Sequence, residues 1–313
     1  MLTFHTLDVF TDRPFHGNPL AVVLNADGLT TDQMQTIARE LNLSETIFVQ
    51  APQNPAHTAR VRIFFPTAEI PFAGHPTIGC AIHLATAAHQ GDFRADLVLE
   101  EEAGLVPVTV TRQGNQVHAE FTAPVLPYPT GALIPDALVA AAIGLPHVGF
   151  QNHRPGVFKG GPGFLYIPVA TVDDLATAWP HEPEWSDLMT KACVVGAYLY
   201  TPGTDCDFRA RMFSPDAGIA EDPATGSASA ILAAQLLASG ALSPGTTTLT
   251  LHQGVEMGRP SLIHLTVDRT AEDRTAKDTT AEITAIRIGG SAVPISHGQI
   301  VIPAPLGIST RRT

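Results

Sequence analysis

The chain has 313 residues, 44% of them hydrophobic, with 18 Lys and Arg against 30 Asp and Glu for a formal charge of −12. That composition excludes a largely disordered chain, and with no basic cluster longer than Arg311-Arg312 it argues against binding along a nucleic-acid backbone, which needs Lys and Arg gathered on one face. At roughly 100–200 residues per domain, the length suits two domains or one two-lobed body.

The N-terminus, Met1 to Phe15, has neither the cationic start nor the apolar stretch of a secretory signal, so a cytoplasmic protein is expected. Gly17-Asn18-Pro19 is a turn signal leading into a strand from Leu20 to Val23. Thr31 to Leu41 reads as an amphipathic helix opening at Thr30 or Thr31, and it feeds the strand Thr46 to Val49. After Arg62 to Ile70 comes a turn containing proline, then a run of small residues at helical length, Pro76 to Ala85. Leu97 to Glu100 and Val106 to Thr111 alternate as strands on either side of Gly104. The proline-rich stretch Ala123 to Pro129 marks a link.

The second half repeats the plan. Val172 to Trp179 and the strand Val194 to Tyr200 take the places of the first helix and strand. Arg211 to Ile219 shares Arg, Phe, Pro, Ala and Ile with Arg62 to Ile70 at matching positions, 149 residues apart. A second small-residue helix, Pro223 to Leu232, follows, and then alternating runs beginning at Leu249 and Leu262. The most apolar segment, Ala228 to Leu242, falls short of the roughly 18 residues a membrane span needs and is expected to be a buried helix. Residues 269–282 repeat Thr-Ala every five residues and read as a solvated loop extending a hairpin. Two halves with one plan predict two similar lobes with a cleft between them.

Cys80, Cys193 and Cys206 are odd in number, far apart and without histidine pairs at zinc spacing, so neither a disulfide framework nor a metal site is expected. A nucleophile elbow, a phosphate-binding loop and a dinucleotide fingerprint are all missing, and no nucleotide or flavin is implied.

Both small-residue helices begin with free backbone N–H groups, at Gly74-His75-Pro76-Thr77 and at Asp222 through Ser227. Two positive helix ends aimed into one cleft would bind a carboxylate or phosphate. Alternatively Asp222 is simply an N-cap before a proline at the first helical position, and the small residues serve packing. Glu45 sits where a strand leaves the core; burial there would raise its pKa and suit it to acid/base work, while most glutamates are solvated surface charges. His75 is a second candidate acid/base, with a plain turn role as its alternative. Asn18 is either a turn residue or a substrate contact.

Gly17-Asn18-Pro19, Asn42 to Val49, Phe72-Ala-Gly-His-Pro-Thr77, Gly218 to Ala228 with Glu-Asp-Pro-Ala-Thr-Gly-Ser, Gln253-Gly254 to Ser261 and Gly290 to Val293 together resemble the phenazine-biosynthesis isomerase family, the PhzF-like proteins, over nearly the whole chain. The resemblance implies an α+β fold of the diaminopimelate epimerase type: two pseudosymmetric lobes, each a mostly antiparallel sheet or barrel wrapped around a central helix. The N-terminal lobe is expected over 1–124, with 298–313 a candidate to complete it, and the C-terminal lobe over 125–297. The same resemblance puts the proton-transferring carboxylate at Glu45, with His75, Asp222 and Ser227 lining the pocket. Gly74, Thr77, Gly79, Thr225, Gly226 and Asn18 then bind substrate. It further implies an isomerase without metal or cofactor, a homodimer, that moves a proton between carbons of a small carboxylate. An offset of 149 sets Asp222 opposite Ala73, so a symmetric pair of thiols is ruled out. An epimerase or racemase of a small amino acid, and a non-catalytic carboxylate binder, are the competing readings.

Overall fold

Strands with one apolar face need a partner layer, and a helix that is apolar all round needs complete enclosure. The computed structural model describes residues 1–194, 196–270 and 282–304 and satisfies both demands with two barrels, each built around one helix. The first half comprises β1 (Leu2–Val9), β2 (Asn18–Val23), α1 (Thr31–Leu41), β3 (Glu45–Gln50), β4 (Ala59–Phe64), β5 (Glu69–Ile70), α2 (Gly74–Ala88), β6 (Phe93–Glu101), β7 (Gly104–Gln113) and β8 (Gln116–Thr122). The second comprises β9 (Tyr128–Pro129), α3 (Asp136–Ala142), β10 (Gly156–Lys159), β11 (Gly163–Pro168), α4 (Val172–Thr177), α5 (Glu184–Ala192), β12 (Ala197–Pro202), β13 (Phe208–Ser214), β14 (Ile219–Asp222), α6 (Gly226–Ala238), β15 (Gly245–Gln253), β16 (Ser261–Arg269) and β17 (Ile283–Ile300). Most of the repetitive segment expected as a loop, residues 271–281, lies outside the described residues, as do residues 305–313.

In the first lobe β1, β2, β3, β4, β6, β7 and β8 pair in that order, and β17 joins β8 back to β1, closing the barrel around α2. Only β2/β3 and β4/β6 are parallel. The second lobe repeats the pattern through β10, β11, β12, β13, β15, β16 and β17, parallel only at β11/β12 and β13/β15, with α6 inside. Buried residues of both helices belong to a single apolar core, Ile78, Ala81 and Ile82 from α2 and Ile231, Leu232 and Leu236 from α6. The tyrosines Tyr166 and Tyr198 direct their hydroxyls to the Ala228 carbonyl and the Ser229 hydroxyl, so the inner wall is both packed and polar-satisfied.

The lobes exchange strands. Beyond its pairing with β7, the chain after β8 runs on to β9, which pairs with β10 of the second lobe. Beyond its pairing with β16, β17 runs on along β1 of the first, from Ala292 opposite Val9 to Ile300 opposite Leu2. Between these, β8 and β17 are antiparallel to each other, from Thr122 opposite Arg287 to His118 opposite Ser291. The stretch expected as a link, Ala123 to Pro129, is therefore a crossing segment, and the boundary expected at 297/298 falls inside a continuous strand. Two outer layers complete the molecule. α1, capped by a reciprocal Thr30–Gln33 box, covers Val23, Phe48 and Phe64, while α3, α4 and α5 cover the outer face of β11 and β12 around Trp185. Among the described residues no helix is long and apolar enough to cross a membrane.

Gly79 sits where α2 touches the barrel wall. A Cβ there would lie 2.5 Å from Leu20 Cδ2 and 2.8 Å from Val9 Cγ2, and both neighbours are fully buried. Helix propensity favours Ala over Gly by about 1 kcal/mol, whereas overpacking a rigid core costs about 1–3 kcal/mol. Gly79→Ala is expected to lower unfolding free energy by up to about 2 kcal/mol in urea, with an unchanged m-value.

Candidate active site

The alternation of the two parallel strands β2 and β3 decides what reaches the barrel mouth. Leu20, Val22, Ile47 and Val49 line the inner core, whereas Val23 and Phe48 face α1. Asn18 and Glu45, in step with the inner set and first in their strands, therefore point inward where α2 begins. Both are buried.

The two central helices meet at their N-termini. A Cβ on Gly74 would lie 2.8 Å from Gly226 Cα and 3.2 Å from the Ser227 nitrogen, and one on Gly226 would lie 3.0 Å from Gly74 Cα. Neither helix has a side-chain cap, so the first-turn N–H groups of both converge on one place with their dipoles unopposed. Ser227 follows Gly226, half-buried, at the position in α6 that His75 occupies in α2.

Asp222 ties the lobes together. Its Oδ1 accepts from Asn18 Nδ2 at 2.9 Å and its Oδ2 from the Thr225 hydroxyl at 2.5 Å, and Ser44 supplies a further side-chain hydrogen bond. Asn18 Nδ2 also donates to the Ala224 carbonyl at 2.9 Å and lies 3.3 Å from His75 Nδ1. Glu45 Oε2 is 3.2 Å from His75 Nδ1 but is not aligned as a hydrogen bond. Asn18 Oδ1, Glu45 Oε2 and His75 Nε2 are buried without hydrogen-bond partners among the described residues. A buried polar atom without a partner is costly, and here three belong to three neighbouring side chains.

Burial sets the protonation states. Desolvation, reinforced by the neighbouring charge of Asp222, holds the Glu45 carboxyl well above the usual carboxylate range. Burial lifts Asp222 to about 6, the hydrogen bonds from Thr225, Asn18 and Ser44 holding it down and Glu221 pushing it up. Burial lowers His75 to about 3, the Pro19 carbonyl pulling the other way, so its imidazole is neutral. At neutral pH Asp222 is therefore largely ionised and His75 neutral, beside a Glu45 carboxyl displaced toward its protonated form.

Three of the residues expected to bind substrate are otherwise engaged. Gly79 faces Leu20 and Val9 inside the barrel. The Thr77 hydroxyl lies 2.8 Å from the Ala73 carbonyl and 2.6 Å from Glu101 Oε1, deep beside α2. Thr225 donates to Asp222, and its own N–H is taken by Gln253 Oε1 at 3.1 Å. Nor is Asp222 an N-cap: it ends β14, and α6 begins at Gly226 after Thr225. The β13–β14 hairpin is three residues longer than its counterpart, with Met212 opposite Asp222 where Ile63 is opposite Ile70. The position matching Asp222 is thus Ile70 rather than Ala73, because the extra residues shift the repeat.

The site also uses residues that the sequence did not single out. Gln253 donates from Nε2 to the Asp222 carbonyl at 2.8 Å and to the Thr225 hydroxyl at 3.0 Å, holding the approach to α6. Its counterpart at the end of β6 is Glu101, which burial raises to about 8 against the Thr77 hydrogen bond. The available signal was alternation: Gln253 stands in step with Leu249 and Leu251, a polar residue on an apolar face. The repeated arginines prove structural, each forking onto a carboxylate of the next short strand, Arg62 on Glu69 and Arg211 on Glu221.

A carboxyl raised from 3.8 to about 6 binds its proton more tightly in the folded state, so its stabilising share is complete below pH 3.8 and is lost as the pH rises through 6. Ionised Asp222 is then a burden of order 3 kcal/mol at pH 7.5. Asp222→Asn is expected to raise unfolding free energy by about 1–3 kcal/mol at pH 7.5, and by much less at pH 5, in paired urea titrations.

The Phenazine biosynthesis-like protein family (PhzC-PhzF) matches residues 7–298. An uncharacterized isomerase of Mesorhizobium japonicum is 41% identical over 304 residues, covering 94% of this chain and 97% of that one. The trans-2,3-dihydro-3-hydroxyanthranilate isomerase of Pseudomonas fluorescens is 36% identical over 304 residues, covering 96% of this chain and all of its own. Among solved structures, a PhzF-family phenazine biosynthesis protein of Bacillus anthracis shares the fold with a TM-score of 0.81 at 24% identity, over 96% of this chain and 99% of that one. The architecture is the diaminopimelate epimerase type. The chain belongs to the PhzC-PhzF family and is an isomerase of that family.

Proposed function

We propose that this isomerase moves a proton between two carbons of a small, ring-sized amino- or hydroxy-carboxylate, with Glu45 as the acid/base and without a cofactor. The observation that carries the reading is the buried Glu45 oxygen with no hydrogen-bond partner, beside His75 and facing two converging helix ends. The substrate carboxylate docks on the free N–H groups at Gly74, His75, Gly226 and Ser227. Its amino or hydroxyl group lies against Asp222, positioned by Asn18 and Thr225. The name of the Pseudomonas fluorescens relative, which describes a cyclic hydroxy-amino acid, supports this class of substrate.

A proton carrier must be acid in one half-cycle and base in the other. Burial and the Asp222 charge both disfavour a second anion at Glu45 and push its carboxyl toward the protonated form. A cationic amino group placed against Asp222 cancels that charge and brings Glu45 toward the range in which it can also accept a proton. His75, neutral, stands with Nδ1 3.2 Å from Glu45 Oε2 and adds no charge beside it. A positioned carboxyl is sufficient for this chemistry, so the mechanism asks for no metal. We propose in addition that the protein works in the cytoplasm as a homodimer, on the family resemblance alone.

Glu45→Gln keeps size and most hydrogen bonding but cannot carry the proton. Its kcat is expected to fall about 10²–10⁴-fold with substrate binding retained. Solvent deuterium exchange at the reacting carbon measures this directly. Exchange with a moved double bond supports the isomerase, exchange with inversion alone would mean an epimerase, and exchange at the wild-type rate in Glu45→Gln would remove Glu45 as the carrier. Because Asp222 must be ionised to hold the amino group, kcat/KM is expected to fall below about pH 6, and that limb should vanish in Asp222→Asn.

A further inference from the structure

The outer face of the second barrel brings together three side chains of different donor type. Asp205 and Cys206 sit in the turn between β12 and β13, and His252 is the penultimate residue of β15, which pairs in parallel with β13. One carboxylate oxygen, the thiol sulfur and one imidazole nitrogen all lie within 4.8 Å of one another. Asp205 Oδ2 is 3.5 Å from His252 Nδ1. Bonds of about 2.0–2.2 Å from a tetrahedral ion to nitrogen and oxygen place those two ligands about 3.3–3.6 Å apart. The separation is thus already that of two corners of a coordination tetrahedron.

The turn is held for this arrangement. Asp207 Oδ2 accepts from the Thr250 N–H at 2.7 Å and from its hydroxyl at 2.8 Å, and the Asp207 N–H donates to the Thr250 carbonyl at 3.0 Å, clamping the turn onto β15. Gly203 leaves the space the sulfur occupies: a Cβ there would lie 2.3 Å from Cys206 Sγ. Strand alternation separates this cluster from the cleft, since Gln253, the next residue, points inward to Thr225 while His252 points out. The exposed Asp205 carboxylate is already drawn toward both partners, pairing with His252 and hydrogen-bonded with the Cys206 thiol.

The geometry points to a binding site for a zinc-class divalent ion, held by Asp205, Cys206 and His252 with a fourth position open to water. A thiolate, an imidazole and a carboxylate form a donor set that favours such ions over magnesium or calcium, which take oxygen ligands. On binding, the Cys206 thiol, which otherwise donates to the Phe208 carbonyl at 3.3 Å, releases its proton to solvent and the sulfur bonds the ion. The site lies apart from the residues assigned to proton transfer and does not depend on that reading.

The test is titration of the purified full-length protein with Co²⁺, read by the thiolate-to-cobalt charge-transfer absorption, followed by displacement with Zn²⁺. The band is expected in wild type and in Cys193→Ser, which lacks the exposed thiol elsewhere on the same lobe. It should be lost in Cys206→Ser, and affinity should fall at least about tenfold in His252→Ala, which keeps the thiol. Far-ultraviolet circular dichroism establishes that each variant is folded. No band in wild type, a band that disappears with Cys193→Ser, or unchanged affinity in His252→Ala would each overturn the assignment.

Discussion

Two helix N-termini can touch only if neither carries a side chain at the point of contact, and the rest of this molecule is arranged around that meeting of Gly74 with Gly226. Because the contact is backbone against backbone, the two dipoles add instead of being diluted by distance. It also fixes the spacing of everything on the first turns, setting His75 and Ser227 at corresponding places on either side of one cleft. Bringing like dipole ends together is unfavourable in itself, and a negative charge nearby offsets that cost. The barrels supply the opposing rigidity, since each helix is enclosed by strands and cannot withdraw.

The acidic residues around this point show the same tension between stability and chemistry. Asp222 is held by hydrogen bonds from both lobes, yet burial still keeps its proton affinity well above that of a solvated aspartate. Glu45, with fewer partners and an anion nearby, is displaced in the same direction. A fold selected only for stability would place amides or apolar groups here. The two buried carboxyls are unequally satisfied, and both have their proton affinities raised by burial.

What the sequence revealed was whatever is local or periodic. Matching motifs around Arg62 and Arg211 disclosed two lobes, and runs of small residues disclosed the helices that must be enclosed. Asn18, Glu45, His75 and Asp222, far apart in the chain, are neighbours in the fold. What stayed hidden depends on pairing between distant segments. Ala123 to Pro129 looks like a linker because its prolines break local structure, although the chain there crosses into the other barrel. Asp222-Pro223 imitates a helix start, and only the register of Met212 against Asp222 shows the longer hairpin that displaces it. Gln253 precedes a glycine turn and so passes for a loop residue. Gly79 lies in the same helical run as Gly74, yet one meets a helix end and the other a strand, a distinction made by the helix's orientation in its barrel.

The strand exchange has a consequence for how the molecule comes into being. Leu2 pairs with Ile300, so the wall of the first barrel contains both ends of the described chain. While the polypeptide emerges from the ribosome, the N-terminal half has all its helices and seven of its staves but lacks the eighth, and α2 faces an open seam until β17 has been synthesised. The second barrel likewise shares its seam with a segment made much earlier. Closure of either lobe therefore waits for β17, with the entropy of joining segments far apart in sequence concentrated in one late step. An architecture that looks like two domains in space is a single cooperative unit in time, and the nascent first half presents an unpaired strand edge that the cell must keep from other chains until the last staves arrive.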